Sequence, residues 1–179
     1  AEVDGWSAGG DSKILLAALS LPRPDRLLVV AEAFRAGLEL DEIHQACHFD
    51  PWFLEQIEEL VTIEQNLIVS GLPQERAGLA ALKRAGFCDA RLGELTGQDE
   101  AAVRALRTAL GVHPVYKRID TCAAEFESRT PYMYSCYETG EIGADGEATE
   151  AECEAEPSDR KKVIILGGGP NRIGQGIEF

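Results

Sequence analysis

The sequence predicts a mainly α-helical domain followed by the beginning of an α/β domain. Apolar residues recur every three or four positions from residue 53 to residue 68, which indicates an amphipathic helix of about five turns. Glycine and proline divide the rest of the chain up to Pro114 into shorter segments of helical pattern. Residues 163–166 form a short apolar run that leads into a glycine-rich loop, which is the pattern of a buried parallel strand.

Capping residues set the ends of the predicted helices. Asp25 is a candidate N-cap for the first of them, and Gly37 fits a left-handed cap after it. The long helix has a sharper start, because Asp50 is a favoured N-cap and Pro51 has no N–H to lose at the first helical position. The predicted helices cover residues 25–35, 42–47, 51–70, 74–85, 89–95 and 99–110.

We divide the chain into four segments. Residues 1–20 are expected to end a preceding segment, and residues 21–137 to form a helical domain. Residues 138–160 make an acidic linker, and residues 161–179 the first strand and glycine-rich loop of a truncated α/β domain. Within residues 115–137 no period persists, so we expect aromatic side chains to pack this part as an ordered crossing segment. These aromatic residues are Tyr116, Phe126, Tyr132, Tyr134 and Tyr137.

The net charge of −14 is unevenly distributed. Eight acidic residues and no Lys or Arg lie between Glu138 and Glu156, so the remainder of the chain carries only −6 (−14 plus 8). A solvated acidic surface loop is the simpler interpretation of this stretch, and a dedicated interaction tail is the alternative.

The five cysteines are odd in number, widely spaced and without a C-x-x-C pair. This usage favours reduced thiols over a disulfide framework or a zinc ribbon. His44, Cys47 and His48 have the spacing of ligands on one helix face, but no fourth ligand is evident near them. A buried free cysteine is the simpler interpretation, and we expect no metal site.

The two predicted helices at residues 89–95 and 99–110 have the spacing of a helix-turn-helix unit, with Arg91, Arg104 and Arg107 available for phosphates. Nucleic-acid binding depends mainly on accumulated positive charge, whereas this chain is strongly acidic. We therefore expect no nucleic-acid partner, and we expect Arg104 and Arg107 to pair with nearby carboxylates on the surface.

Two aromatic residues, Trp52 and Phe53, directly follow the proline at the start of the long helix. We expect their side chains to anchor the core. The alternative is a subunit interface, where aromatic residues are enriched.

No group of residues has the spacing of a catalytic site. His113 precedes a proline without a nucleophile placed by a recognisable motif, and Asp120 with Cys122 lacks a base. The glycine-rich loop also fails as a nucleotide-binding motif. The Walker pattern needs Lys where Gln175 lies, and the dinucleotide fingerprint needs Gly where Arg172 lies.

Several segments resemble one known family. Residues 167–179, GGGPNRIGQGIEF after an apolar run, are similar to the start of the second half of the large chain of carbamoyl-phosphate synthase. Earlier segments are similar to the helical part that joins the two halves of that enzyme, and the order and spacing match over roughly residues 21–179. These segments are AFRAG at residues 33–37, WFL and QIEEL within residues 52–60, HPVYKRIDTCAAEF at residues 113–126 and YMYS at residues 132–135.

The resemblance implies a non-catalytic oligomerisation and connecting part of that large chain. The parent enzyme makes carbamoyl phosphate from bicarbonate, glutamine-derived ammonia and two ATP, for arginine and pyrimidine synthesis. Its partners would be a glutaminase small chain and other large chains. It would use ATP, Mg²⁺ (or Mn²⁺) and K⁺, none of them bound by a motif present here, and we expect the isolated chain to be inactive.

By position, the resemblance places Gly176 and Glu178 on the internal passage that carries carbamate between the two active sites of the family. Gly176 would keep the passage open because it has no side chain, and Glu178 would supply a carboxylate to its lining. The alternatives are a tight strand-to-helix turn for the glycine and a structural hydrogen-bond acceptor for the glutamate.

The sequence contains no apolar run near the 18 residues of a membrane span, and its start lacks the features of a signal peptide. We therefore expect a cytoplasmic protein with no membrane partner. A free-standing helical protein-interaction module is the alternative to the enzyme fragment. Coding sequence for ATP-grasp domains on both sides of this segment would select the enzyme.

Overall fold

The computed structural model describes residues 11–123, 125–127, 132–138, 140 and 151–166. This part of the chain is mainly α, as the sequence predicts, with seven helices and one two-stranded antiparallel sheet. The elements are α1 (Ser12–Leu19), α2 (Arg26–Arg35), α3 (Leu40–Cys47), α4 (Pro51–Ser70), α5 (Arg76–Arg84), α6 (Asp89–Thr96), α7 (Glu100–Ala109), β1 (Val115–Arg118) and β2 (Met133–Cys136). Across the described ranges, no helix is long and apolar enough to cross a bilayer.

The six predicted helices are confirmed to within two residues at each end. The Asp50 carboxylate accepts a hydrogen bond from Trp52 N at 2.9 Å, and Gly37 takes the left-handed conformation at φ 82°. Asp25 precedes α2 as predicted, but its side chain does not cap the helix. It pairs instead with the Arg23 guanidinium at 2.8 Å, because a charged donor is a stronger partner than a helix amide.

Helix α1 was not predicted from the sequence. The Asp11 carboxylate caps it by accepting hydrogen bonds from Lys13 N at 2.9 Å and Ile14 N at 3.4 Å. Leu15 and Leu19 are fully buried, and the helix packs on α2 and α3. Two turns are too short to show a clear period, so this helix depends on tertiary packing that the pattern does not reveal.

Helix α4 is shared by two hydrophobic clusters. Its first three turns contribute Leu54 and Val61 to a cluster with α1, α2 and α3. Its last turn contributes Leu67 to a second cluster with α5, α6 and α7. A helix of 20 residues is about 30 Å long, so α4 reaches across both clusters.

The junction between the clusters contains a buried carboxylate, Glu64 of α4, which is 5% exposed. One oxygen accepts from the Arg35 guanidinium of α2 at 2.7 Å, and the other accepts from the Arg91 guanidinium of α6 at 2.9 Å. An ionised carboxylate at this depth is stable only when both of its oxygens are paired. Because α2 and α6 belong to different clusters, Glu64 fixes the orientation of both about α4.

A second buried ionic group lies inside the second cluster. Asp89, the first residue of α6, accepts hydrogen bonds from Lys83 of α5 at 2.8 Å and from Arg107 of α7 at 3.0 Å. Burial by itself would raise the pKa of Asp89. The hydrogen bonds and charges of Lys83 and Arg107 together outweigh burial and hold this pKa below its usual value. The carboxylate therefore ties three helices together in its ionised form.

The segment after α7 forms a hairpin that the sequence did not predict. Strands β1 and β2 pair antiparallel, with Val115 opposite Cys136 and Arg118 opposite Met133. The expected aromatic packing is wrong for Phe126, which is 74% exposed. Tyr116, Tyr132 and Tyr134 are also exposed. The segment is held by backbone hydrogen bonds between the two strands and not by the packing of these aromatic side chains.

The predicted strand at residues 163–166 is not formed. The four side chains are 84–92% exposed, and in the described part of the chain only β1 and β2 are strands. A parallel strand requires neighbours on both edges for its backbone groups, and none of the described residues supplies them. The glycine-rich loop at residues 167–179 and the acidic residues 141–150 lie outside the described residues.

We predict that Glu64→Gln lowers the free energy of unfolding by about 3 kcal/mol, because it removes the buried anion that joins two part-buried guanidinium groups across the two clusters. Glu58→Gln is the matched control, since it makes the same change at an exposed position of the same helix. The control should cost about 0.5 kcal/mol at most. Urea denaturation followed by helical circular dichroism measures both, and equal losses would contradict this role of Glu64.

The pH dependence of stability provides a test for Asp89. Its pKa is lowered in the folded state, so the stability it contributes is present above the unfolded value of about 3.9 and is lost as pH falls through the folded pKa. Asp89→Asn should therefore cost about 3 kcal/mol near neutral pH. The difference from the unmodified chain should shrink below about pH 4. Urea titrations across pH measure this difference. A constant cost down to about pH 2 would refute the assignment.

Candidate functional site

An apolar groove lies between α2 and α4. It has a volume of about 890 Å³. Leu27 and Leu28 of α2 form one wall, and Ile57 and Leu60 of α4 form the other. Its remaining lining residues are Ala31, Arg35, His48, Phe49, Asp50, Trp52, Phe53, Gln56, Val61 and Glu64. We call this surface the α2–α4 groove.

One end of the groove is built by the turn between α3 and α4. The Arg26 guanidinium donates to the carbonyl oxygens of Leu19 at 2.8 Å and Cys47 at 2.7 Å, which joins the ends of α1 and α3. The same guanidinium lies 4.9 Å from the centre of the Phe49 ring. A cation over an aromatic face is attracted by the ring quadrupole, so Phe49 has a fixed position at the rim.

Trp52 and Phe53 do not anchor the core, contrary to the sequence-based expectation. Each is 58% exposed, and the two rings meet edge to face with centroids 5.0 Å apart. The core position in this turn of α4 belongs to Leu54, which is fully buried. The pattern missed this because a helix that starts with three apolar residues in succession can turn any one of them inward. The two aromatic rings form an exposed ridge within the lining of the groove.

The opposite end of the groove is charged. Glu64 and Arg35 line it, and they are already paired with each other at 2.7 Å. Arg35 also lies 3.5 Å from Glu32, so its charge is balanced by two carboxylates. The α2–α4 groove therefore offers an apolar floor and walls, with a neutralised polar end rather than a site for a free ion.

The three predicted ligand candidates shape the turn that holds Phe49. His44 Nδ1 lies 2.7 Å from the Phe49 carbonyl oxygen, and the buried Cys47 sulfur accepts from Phe49 N at 3.4 Å. His48 ends α3 in the left-handed conformation at φ 56°. Among the described residues, no group of three or more His, Cys, Asp or Glu side chains is arranged to hold a metal ion.

The arginines of the supposed helix-turn-helix are all paired with carboxylates. Arg91 binds Glu64, Arg107 binds Asp89 and Arg104 binds Glu100. The predicted pairing of Arg104 and Arg107 is confirmed, although Arg107 is largely buried rather than on the surface. Arg91 and Arg107 join different helices, whereas Arg104 pairs with a neighbour on α7 itself, and the structure does not gather the three into a basic surface.

The remaining sequence candidates are not brought together as a site. Asp120 accepts a hydrogen bond from Cys122 N at 2.8 Å, which is a local turn contact. His113 follows α7 and is exposed. Gly176 and Glu178, predicted to line a carbamate passage, lie outside the described residues, so that prediction is untested.

Sequence reasoning missed the two residues that matter most for the groove. Glu64 was not distinguished from the exposed glutamates of α4, because burial of a charged side chain depends on partners that come from α2 and α6. Leu27 falls on the predicted helix at residues 25–35, but nothing in the sequence shows that it stays 55% exposed. A weak signal was present, since Glu64 lies seven residues after Ile57 on the apolar stripe.

Comparison with known proteins identifies the family. Residues 2–111 match the family described as the oligomerisation domain of the carbamoyl-phosphate synthetase large chain. The carbamoyl phosphate synthase large chain of Brucella melitensis biotype 1 is 56% identical over 171 residues, which is 96% of this chain and 14% of that protein. The Rhizobium meliloti large chain is 54% identical over 179 residues, and the Neisseria meningitidis serogroup B large chain is 55% identical over 163 residues.

These alignments cover 99% of this chain for Rhizobium and 90% for Neisseria. The chain spans only 14–15% of the length of these relatives. The matched family covers α1 to α7 and therefore includes the α2–α4 groove and both hydrophobic clusters. The chain belongs to the family of the carbamoyl-phosphate synthetase large chain, of which it contains the oligomerisation domain.

Proposed function

We propose that the α2–α4 groove is the surface through which this chain associates with a second copy of itself. The observation that carries the proposal is the exposed aromatic ridge of Trp52 and Phe53 in the lining of an open apolar groove. Contiguous apolar surface of this kind is uncommon on a protein that stays monomeric, and aromatic residues are enriched at interfaces. The oligomerisation-domain family that matches this chain supports the same assignment.

The arrangement also suits the symmetry of a homodimer. In a twofold interface the same patch serves both subunits, so it must complement itself. A groove that carries an exposed ridge in its own lining meets this condition, because the ridge of each copy can pack against the apolar walls of the other. The neutralised charges at the Glu64 end would not oppose such an approach, since both Glu64 oxygens already have guanidinium partners.

In the parent protein, this chain would be a non-catalytic connecting and oligomerisation part of the carbamoyl-phosphate synthase large chain. The proposal extends to an enzyme that makes carbamoyl phosphate from bicarbonate, glutamine-derived ammonia and two ATP, with a glutaminase small chain as partner. ATP, Mg²⁺ (or Mn²⁺) and K⁺ would bind to other parts of that enzyme. We expect the isolated chain to hydrolyse no ATP, because its glycine-rich loop does not match the Walker pattern that binds nucleotide phosphates.

The groove assignment is tested by Phe53→Asp, which places a charge at the centre of the proposed interface. We expect the dimer dissociation constant to rise at least about tenfold, because central aromatic residues account for much of an interface's binding energy. Val69→Asp is the matched control, since Val69 is 86% exposed near the other end of α4 and does not line the groove. Sedimentation velocity over a range of concentrations measures the constant.

The control should associate like the unmodified chain, and thermal melting should show that both variants remain folded. Phe53 is already exposed, so its substitution leaves the hydrophobic clusters unchanged. A monomeric unmodified chain at all concentrations would refute the proposal. Equal weakening by the two variants would place the interface elsewhere.

Another prediction concerns the proposed carbamate passage in a full-length enzyme that contains this segment. Gly176→Leu should impair overall synthesis of carbamoyl phosphate far more than bicarbonate-dependent ATP hydrolysis at the first site. An isobutyl group would narrow the passage without touching either reaction centre. Parallel assays of the two reactions, with thermal melting as a control for folding, separate the outcomes. A parallel fall in both reactions and in stability would make Gly176 a structural glycine only.

A further inference from the structure

Glu154, near the end of the acidic stretch, lies on the hairpin rather than free in solvent. Its backbone N donates to the Tyr116 carbonyl oxygen at 2.9 Å. Its carboxylate accepts from Arg118 N at 2.7 Å. Glu154 is 36 residues away from Arg118 in sequence, so this is a tertiary contact between the acidic stretch and β1.

The two contacts occupy one edge of β1. Residues two apart on a strand direct their backbone groups to the same side, so Tyr116 and Arg118 share an edge. The intervening Lys117 is paired with Tyr134 of β2, and Ile119 N donates to the Tyr132 carbonyl oxygen at 3.0 Å. The partner strand therefore uses one edge and Glu154 the other. An edge left open would present unpaired backbone groups to other chains.

Both ends of the acidic stretch meet at the same ammonium group. Lys117 Nζ lies 3.9 Å from a carboxylate oxygen of Glu138 and 3.7 Å from one of Glu154. The Lys117 side chain is only 19% exposed, so solvent screens these attractions less than at an open surface. The hairpin is attached in turn to the helical domain, because Lys83 of α5 lies 5.3 Å from the centre of the Tyr137 ring.

We propose that the contacts of Glu154 with β1 hold the two ends of the acidic stretch together at the hairpin. The distance between the helical domain and residues 157–166 is then independent of the number of residues in the stretch. A spacer would leave its two ends free to separate, whereas here Glu138 and Glu154 are held by one strand. Bringing the two ends of a loop together depends only weakly on its length, since doubling the length lowers the equilibrium constant for contact between the ends about threefold. Residues 157–166 would therefore start from a fixed point on the hairpin.

The test varies the length of the stretch in the complete chain. Residues 141–150 are replaced by glycine-serine segments of half, equal and twice the native length, with Glu138 and Glu154 retained. Fluorescent dyes at positions 69 and 163, both exposed, report the distance between α4 and the segment after the loop by energy transfer. We expect the distance to be the same for all three lengths. The same series with Glu154→Ala should show a distance that increases with length.

Glu152→Ala is the matched control, because it removes the same charge two residues earlier from a side chain with no hydrogen bond to β1 in the described structure. Amide exchange measured by NMR gives an independent readout at Arg118. Its exchange should become about tenfold faster with Glu154→Ala and stay unchanged with Glu152→Ala. Circular dichroism checks that the helices are retained.

A distance that follows segment length while Glu154 is present would overturn the proposal, as would equal Arg118 exchange in the two alanine variants. Neither readout involves self-association or catalysis. A failure here therefore leaves the α2–α4 groove proposal unaffected, and a monomeric chain would leave the loop closure unaffected.

Discussion

The carboxylate of Glu64, buried on α4 between Arg35 of α2 and Arg91 of α6, is the constraint on which the two-cluster architecture depends. Each hydrophobic cluster has its own apolar packing, but apolar contacts alone do not fix how one cluster is rotated against the other. A carboxylate with a guanidinium on each oxygen restricts the relative orientation of the two helices that carry the arginines, because both pairs must keep their hydrogen-bond geometry. The cost of burying the Glu64 carboxylate is offset when both guanidinium groups pair with it.

The groove follows from this constraint. Arg35 reaches across from α2 to Glu64 of α4, so the two helices are held together at one end. At the other end the turn after α3 places Phe49 at the rim, with Arg26 against its ring. Between these two fixed ends, the walls from α2 and α4 have no side chains from another element of the described chain to fill the space. A second copy of the chain is the occupant that fits a self-complementary ridge and groove.

The second cluster is also held together by a buried ion-paired carboxylate, and one of its partners contacts the hairpin. Asp89 draws Lys83 and Arg107 together, and so joins α5, α6 and α7. Close packing accompanies it, because a Cβ placed on Gly93 would lie 2.6 Å from the Gln98 carbonyl oxygen. Lys83 also faces Tyr137 beside β2, which connects this ionic centre to the hairpin. Strongly acidic chains tend to expand by self-repulsion, and paired internal carboxylates limit that effect.

Local sequence rules were sufficient for the helices themselves. The Asp50 cap, the proline after it and the glycines at helix ends act within one turn, so helix boundaries were predicted to within two residues. The family resemblance was likewise present in short contiguous segments, and the comparisons confirm it. The short α1, by contrast, has no strong local signal, because only packing against α2 and α3 makes Leu15 and Leu19 core residues.

The candidate site was decided by the tertiary structure. The sequence marks Trp52, Phe53 and Leu54 as equally apolar, but only the position of the first cluster determines that Leu54 turns inward and the two aromatic residues outward. The sequence likewise does not separate Glu64 from its exposed neighbours, since its burial depends on arginines 29 and 27 residues away. Capping and periodicity are local properties that the sequence determines by itself. Burial, pairing and exposure are relations between distant segments, and they exist only once the chain is packed.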